Sequence, residues 1–151
     1  MMYEEVISDF AQRTKKNLEV IEQLHKDGKE AYETTQLVNS CLGLLVFPRE
    51  RFIDRIPEIP MEQLIEDGWP EPKVLGEFEQ VANLKELIRY LRHAIAHFNI
   101  QFIGDSENQI RRLRVWNINP KSGKKTWQSE LSVDDLKKIS KKFSGMLINS
   151  N

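Results

Sequence analysis

Apolar positions recur with helical spacing through the first part of the chain. The pattern predicts a first helix from about Tyr3 to Lys26. Gly28 follows it, and glycine readily adopts the left-handed conformation that ends many helices. A second helix is predicted from about Glu30 to Phe47, because the sequence becomes steadily more apolar up to Pro48, which cannot continue a helix. The first part of the chain is therefore predicted to be helical.

A proline-rich segment follows between Pro48 and Pro72. It predicts a long irregular connection with one short helix around Met61 to Glu66. A third long helix is predicted from about Glu77 to Phe98, because its apolar residues repeat about every 3.6 positions and should face the core. This core stripe consists of Leu84, Leu87, Ile88, Leu91, Ile95 and Phe98.

Beyond this helix the pattern changes to short segments typical of β-strands. Turn signals around Gly104 and Pro120 separate the segments, which predicts an antiparallel meander. Ser132 and Asp135 then resemble a capping box that opens a final helix, ending near Ile148. The predicted strands are Ile100–Ile103, Ile110–Ile118 and Lys125–Leu131. The predicted fold is mainly α, a single domain of residues 1–151 in which a small β meander (about 100–131) is inserted before the last helix of a bundle.

Composition limits the classes of partner. The formal net charge is −1, so a contact with nucleic acid must come from a local basic patch rather than an overall field. Cys41, the only cysteine, lies among leucines and is expected to be a buried apolar thiol in a reducing compartment. The N-terminus has no signal-peptide pattern and no apolar run reaches the length of a membrane span. We expect a cytoplasmic protein without a membrane partner.

The third helix carries the candidate chemistry in the segment from Arg92 to His97, with His93 next to the arginine. Arginine grips a phosphate with a rigid, permanently charged fork, and histidine exchanges protons near neutral pH. These residue types can cleave a phosphodiester without a metal. His93 and His97 stand four residues apart and could also hold zinc, but there is no His-Glu-x-x-His pattern and no obvious third ligand, so no metal or cofactor is expected.

The face that bears the histidines predicts a dimer. At about 100° per residue, a second line of side chains lies nearly opposite the core stripe, and its tyrosine, alanines and histidines carry little charge for a solvated face. Arg92 lies about 140° around the helix from His97, so one helix should not bring the two squarely together. A two-fold dimer would surround one cleft with two copies of each. The predicted interface consists of Tyr90, His93, Ala94 and His97, with Ala96 beside it.

Arg-x4-His with a polar residue after the arginine resembles the active-site motif of the HEPN superfamily, helical bundles that typically dimerise and include many metal-independent ribonucleases. The resemblance implies Arg92 and His97 as the central catalytic pair, with His93 in the variable polar position. The order of predicted helices is also similar. The segment from Leu42 to Pro48 is similar to a branch carried on plasmids and mobile elements.

Supporting residues are predicted on the second helix and in the insert. Asn39 and Gln36 belong to a polar stripe that either orients the motif from across the bundle or is satisfied locally, and Tyr90 is a third supporting candidate on the motif helix. Basic residues beside tryptophans in the insert suit single-stranded RNA, although the tryptophans could instead pack on the bundle. The predicted RNA contacts are Arg111, Arg112 and Arg114.

Two functions from different classes follow. The first is a metal-independent endoribonuclease that acts as a homodimer, as a toxin or defence effector with an antitoxin protein as a further partner. The second is a non-catalytic dimeric module that binds a nucleotide, an RNA or a partner protein in the same cleft. The intact Arg92 and His97 favour the first, because a degenerate family member would be expected to have lost one of them.

Overall fold

A computed structural model describes residues 3–46, 52, 54–107 and 109–149, with side chains from residue 7 onward. The first helix has the predicted bounds, and the second begins three residues later than predicted. The predicted end of the second helix at Phe47 and Pro48 lies outside the described residues. Within that part of the chain the elements are α1 (Tyr3–Lys26), α2 (Glu33–Val46), α3 (Met61–Glu66), β1 (Lys73–Val74), α4 (Leu84–Ala96), β2 (Ile100–Gly104), β3 (Ile110–Ile118), β4 (Lys125–Ser132) and α5 (Val133–Ile148).

The long helices pack around one apolar core. Helix α1 packs against α2 and α5, and α2 also contacts α4. Cys41 of α2 is buried there, with its Sγ 2.9 Å from Ser140 Oγ of α5. Burial raises the pKa of this thiol to about 11, which confirms the predicted buried cysteine. None of the helices in the described residues is long and apolar enough to cross a membrane. The largest buried side chains of the core include Leu37, Leu44, Leu87, Ile88, Leu91, Ile139 and Phe143.

The predicted meander is present, but the sheet is larger than predicted. Its four strands run antiparallel in the order β1-β4-β3-β2. The additional strand β1 comes from the proline-rich connection, where Lys73 pairs with Glu130 and Val74 with Ser129. The protein is therefore a mixed α and β fold rather than a mainly α bundle with a small insert. The sheet packs against α4 and α5.

The motif helix α4 differs from its prediction at both ends. It begins after Asn83, whose side chain accepts a hydrogen bond from the Glu86 amide, so the predicted start at Glu77 is wrong. At the other end Phe98 lies beyond the last turn, is 69% exposed and has a φ of 54°, so it does not belong to the core stripe. The other five predicted core residues of this helix are buried.

The final helix α5 begins as predicted. The Ser132 hydroxyl accepts a hydrogen bond from the Asp135 amide, and the Asp135 carboxylate accepts one from the Ser132 amide. This reciprocal capping box satisfies two backbone donors at the junction between β4 and α5. It fixes the direction in which α5 leaves the sheet.

Candidate functional site

The sheet covers one flank of the motif helix. The Tyr90 and Trp127 rings pack against each other with centroids 5.0 Å apart, and Ala94 is fully buried in the core. Ala94 therefore does not lie on a face available to a second copy, and its predicted place in the interface is wrong. The side chains left exposed on α4 are Arg89, His93 and Ala96, followed by His97 at the C-cap.

His93 and His97 form a ridge on this exposed side. Their rings lie nearly parallel, 9° apart, with centroids separated by 6.2 Å. Partial burial lowers the pKa of His93 below its ordinary value of 6.5, and the charges of Arg92, His97 and Arg89 lower it further. His93 thus favours the neutral form, which can accept a proton.

A cleft of about 420 Å³ lies on one side of the histidine ridge, and we call it the Arg92 cleft. Arg92, His93 and His97 all line it, together with Asp54 and Val46. The angular separation of Arg92 and His97 therefore does not keep them from one cleft, although no hydrogen bond joins them within the described residues. Arg89 lines it too, so the arrangement brings two guanidiniums and two imidazoles to a single opening.

A second cleft, of about 620 Å³, lies on the other side of the ridge, between α4 and the turn that joins β3 to β4. We call it the hairpin cleft. His93 and His97 line this cleft as well, and so does Arg89, which the sequence analysis did not single out. Its position one helical turn before His93 is the signal that could have identified it.

Tyr90 is held between the helix and the sheet. Its hydroxyl donates a 2.6 Å hydrogen bond to Glu86 Oε1, and the Arg89 guanidinium lies 5.8 Å from its ring centroid. Burial and the neighbouring Glu86 raise the pKa of Tyr90. Tyr90 thus lines the hairpin cleft as a fixed neutral phenol, in a position to support the neighbouring Arg89.

The predicted supporting residues of α2 are not joined to the motif. The Gln36 amide donates to Ser40 Oγ at 3.5 Å on its own helix, and Asn39 is exposed. Gly43, one turn after Asn39 on α2, faces α1, since a Cβ there would lie 2.8 Å from Phe10. No hydrogen bond within the described residues links Gln36 or Asn39 to Arg92 or His97, so an orienting role for them stays a prediction.

The three arginines of the insert already have acidic neighbours. Arg111 pairs with Asp105 at 2.9 Å, Arg114 with Glu130 at 3.1 Å, and Arg112 also with Glu130. Any phosphate that they bind must exchange with a carboxylate, so their predicted contact with RNA remains a prediction. The two tryptophans of the insert have different surroundings, and Trp127 packs on the motif helix.

The other tryptophan of the insert lies elsewhere. Trp116 is only partly buried, and the Lys125 ammonium lies 5.0 Å from its ring centroid. Successive side chains on a strand point to opposite faces of the sheet. Trp116 directly precedes the buried Asn117, so its side chain points to the other face. Basic and aromatic side chains thus meet on the face of the sheet directed away from the bundle.

Comparison with protein families gives a match over the whole chain. The model of the family described as HEPN pEK499 p136 matches residues 1–151. The chain belongs to this HEPN family. The assignment confirms the predicted resemblance and the plasmid-associated branch of the superfamily. Searches of curated proteins and of solved structures found no match.

Membership of the HEPN family points to a nuclease or nucleotide-binding function. The residues implied by the HEPN motif, Arg92 and His97, line one cleft here. Among the described residues of this HEPN chain, no group of three or more His, Cys, Asp or Glu side chains is placed to hold a metal ion. The charged and titratable side chains that line the Arg92 cleft are two arginines, two histidines and Asp54.

Proposed function

We propose that this HEPN chain is a metal-independent endoribonuclease that acts as a homodimer, in the role of a toxin or defence effector. The observation that carries the proposal is that Arg92, His93 and His97 line one cleft. An arginine beside two imidazoles supplies both the charge and the proton carriers that cleavage at a 2′-hydroxyl requires. An antitoxin protein that covers this cleft would be a natural partner.

The proposed reaction divides the two proton transfers between the histidines. Neutral His93 accepts the proton of the 2′-hydroxyl, whose oxygen attacks the adjacent phosphorus. His97 donates a proton to the leaving 5′-oxygen as its bond to phosphorus breaks. The products are a 2′,3′-cyclic phosphate and a 5′-hydroxyl, so the atoms and charges balance. Arg92 stabilises the additional negative charge on the phosphoryl oxygens in the transition state.

A second copy of the chain completes the proposed enzyme by covering the site. Ala96 is exposed on the motif helix beside the Arg92 cleft, and the exposed ring of Phe98 follows it. A small residue permits close approach of a second helix, and an exposed aromatic side chain is typical of interfaces. Because both imidazoles come from one protomer, the role of the second copy is to exclude water and bring a second set of arginines to the cleft.

The decisive experiment is incubation of the purified protein with total RNA, with and without EDTA. We expect cleavage that EDTA does not reduce, 2′,3′-cyclic phosphate ends, and no cleavage of DNA, which lacks the 2′-hydroxyl. His97→Ala should lower the rate by about 10² to 10⁴, the usual effect of positioned acid–base catalysis. His25→Ala, which removes an exposed histidine of α1, is the matched control and should cleave normally.

Either undiminished cleavage by His97→Ala or full loss of activity with EDTA would contradict the proposal. The alternative function, a non-catalytic module, predicts that the protein binds RNA or nucleotides and leaves RNA intact. That alternative is supported by the hairpin cleft, whose volume lies within the range of small-molecule sites.

A further inference from the structure

The hairpin cleft combines three kinds of wall. Ile118 and Pro120 supply apolar surface on the sheet side, and Asn117 and Thr126 supply polar groups. Arg89 supplies a positive charge from the motif helix. None of the residues that line this cleft in the described structure is acidic, so the cleft suits a neutral or anionic ligand rather than a cation.

A β-bulge shapes the sheet wall of this cleft. Asn117 pairs with Trp127, but the next residue, Ile118, pairs with Lys125, so Thr126 has no partner across the ladder. An extra residue in one strand bends it and redirects its side chains, and such bulges are common beside functional sites. The bulge accounts for the presence of Thr126 at a cleft that faces the same helix as its neighbour Trp127.

Asn117 is the unusual residue of the wall. It is only 8% exposed, and its Oδ1 has no hydrogen-bond partner within the described residues. Directly paired residues project from the same face of a sheet. Trp127, paired with Asn117, packs against Tyr90 of the motif helix, so the Asn117 side chain also projects towards that helix and its cleft. A buried amide without a partner costs free energy, which a ligand that pairs with it would recover.

A second unpaired group lies on the same face. The Nε1 of Trp127 is buried and donates to no acceptor within the described part of the chain. An unpaired donor and an unpaired acceptor therefore occupy directly opposed positions of β3 and β4. Both lie where the sheet meets the motif helix. The described residues leave the hydrogen-bonding capacity of these two groups unused at this junction.

We propose that the hairpin cleft binds one nucleobase of the RNA strand, next to the cleaved phosphodiester, and that it prefers adenine. Asn117 pairs with the base edge, Ile118 and Pro120 contact the face of the base, and Arg89 binds its phosphate. Adenine presents a donor and an acceptor side by side, the pattern that an asparagine amide matches with two hydrogen bonds. This inference rests on the proposed function, because His93 and His97 line both clefts and so join the base site to the reaction site.

The first test is binding, which does not depend on cleavage. The 3′-monophosphates of adenosine, guanosine, cytidine and uridine are titrated into the full chain and followed by NMR, including the Asn117 side-chain amide signal. We expect adenosine 3′-monophosphate to bind most tightly and to shift that signal. Asn117→Asp should weaken its binding about tenfold, since two aligned hydrogen bonds discriminate by factors of this order or more. Equal affinity for the four nucleotides would overturn the inference.

Two further variants protect the test against a folding defect at Asn117. Thr126→Trp introduces a large side chain at an exposed position of the cleft and should abolish binding of all four nucleotides. Gln101→Leu removes an exposed amide of the neighbouring strand β2 that does not line the cleft, and its affinities should match the wild type. Binding that persists in Thr126→Trp would place the nucleotide elsewhere and refute the site.

Cleavage of four oligoribonucleotides that differ in one base separates this inference from the proposed function. Cleavage without base preference, unchanged in Asn117→Asp, would refute the base site while the ribonuclease stands. Asn117-dependent binding of adenosine 3′-monophosphate by a protein that cuts no RNA would support the site and refute the ribonuclease. A cut beside adenine that becomes indifferent to the base in Asn117→Asp would support both.

Discussion

The imidazole rings of His93 and His97 are stacked on the motif helix, 6.2 Å apart between centroids. Residues four apart lie one above the other on a helix, and the C-cap residue His97 keeps this relation because its backbone amide donates a hydrogen bond to the His93 carbonyl. The proximity of His97 lowers the pKa of His93, after burial and Arg92, because two positive charges at this distance repel. Repulsion between the two rings thus favours the neutral form of His93, which is the form that accepts the 2′-hydroxyl proton in the proposed reaction.

The pH dependence of His93 is the first prediction. Its pKa lies below 6.5 in the folded protein, so the rate of RNA cleavage should stay high as the pH falls to 6.5 and decline only below it. Arg89→Leu removes a positive charge that lowers this pKa, so the decline should move to higher pH. The measurements are a pH–rate profile and an NMR titration of the His93 ring; a His93 midpoint above 6.5 in the wild type would contradict the assignment.

The same shift affects stability. The unfolded chain binds the His93 proton more readily than the folded chain does, because the folded pKa is the lower one. The stabilisation from neutral His93 is therefore present above about pH 6.5 and is lost as the pH falls through the folded pKa. Comparison of His93→Gln with the wild type by thermal unfolding at several pH values isolates this contribution.

Arg92→Lys tests whether the geometry of the guanidinium matters beyond its charge. An ammonium keeps the charge but loses the planar two-point contact with phosphate. We expect RNA cleavage to fall about 10-fold to 100-fold, somewhat less than the roughly 10² to 10³ lost when a transition-state donor is removed entirely. Circular dichroism should be unchanged, since Arg92 lies at the edge of the core. A rate equal to the wild type would exclude Arg92 from direct phosphate contact.

The two alanines of the motif separate assembly from folding. Ala96 is exposed beside the Arg92 cleft, so Ala96→Arg should yield a folded monomer by sedimentation at micromolar concentration. Ala94 is fully buried, so Ala94→Arg should instead unfold the protomer, with a loss of more than about 4 kcal/mol from overpacking and an unpaired charge. A stable dimer of Ala96→Arg, or a wild-type monomer, would refute the proposed interface.

Ser132→Ala tests the junction between the sheet and the last helix. The substitution removes the acceptor for the Asp135 amide and should lower the free energy of unfolding by about 1 kcal/mol. Denaturant unfolding measures the change. Ser106→Ala, at an exposed turn residue between β2 and β3, is a suitable control. RNA cleavage should persist under native conditions, because the cap lies apart from both clefts.

Periodicity identified the long helices and the meander but could not reveal contacts made far along the chain. Strand β1 is two residues long and exists because Lys73 and Val74 pair with β4, more than fifty residues later. The start of the motif helix was missed for a local reason, since Asn83 followed three residues later by Glu86 is a capping signal. Local sequence does not encode the pairing of β1 with β4. It does encode the start of the motif helix, through the capping residues Asn83 and Glu86.

Helical periodicity also could not reveal which face of the motif helix the sheet covers. Helical geometry places Tyr90 and Ala94 away from the centre of the core stripe, which favoured an exposed interface. The sheet then covers this flank through Trp127, so residues predicted to meet a second copy meet their own chain instead. Arg92, His93 and His97 could be selected from residue type and spacing. Asn117 could not, because its importance arises from burial without a partner.

The backbone at Phe98 carries an energetic cost at the end of the motif helix. A φ of 54° is costly for a bulky side chain, by about 1 to 3 kcal/mol, and glycine would adopt it freely. The ring recovers little of this cost by burial, since it is 69% exposed. In the proposed homodimer, burial of this ring against the second copy would offset the cost that the isolated protomer bears.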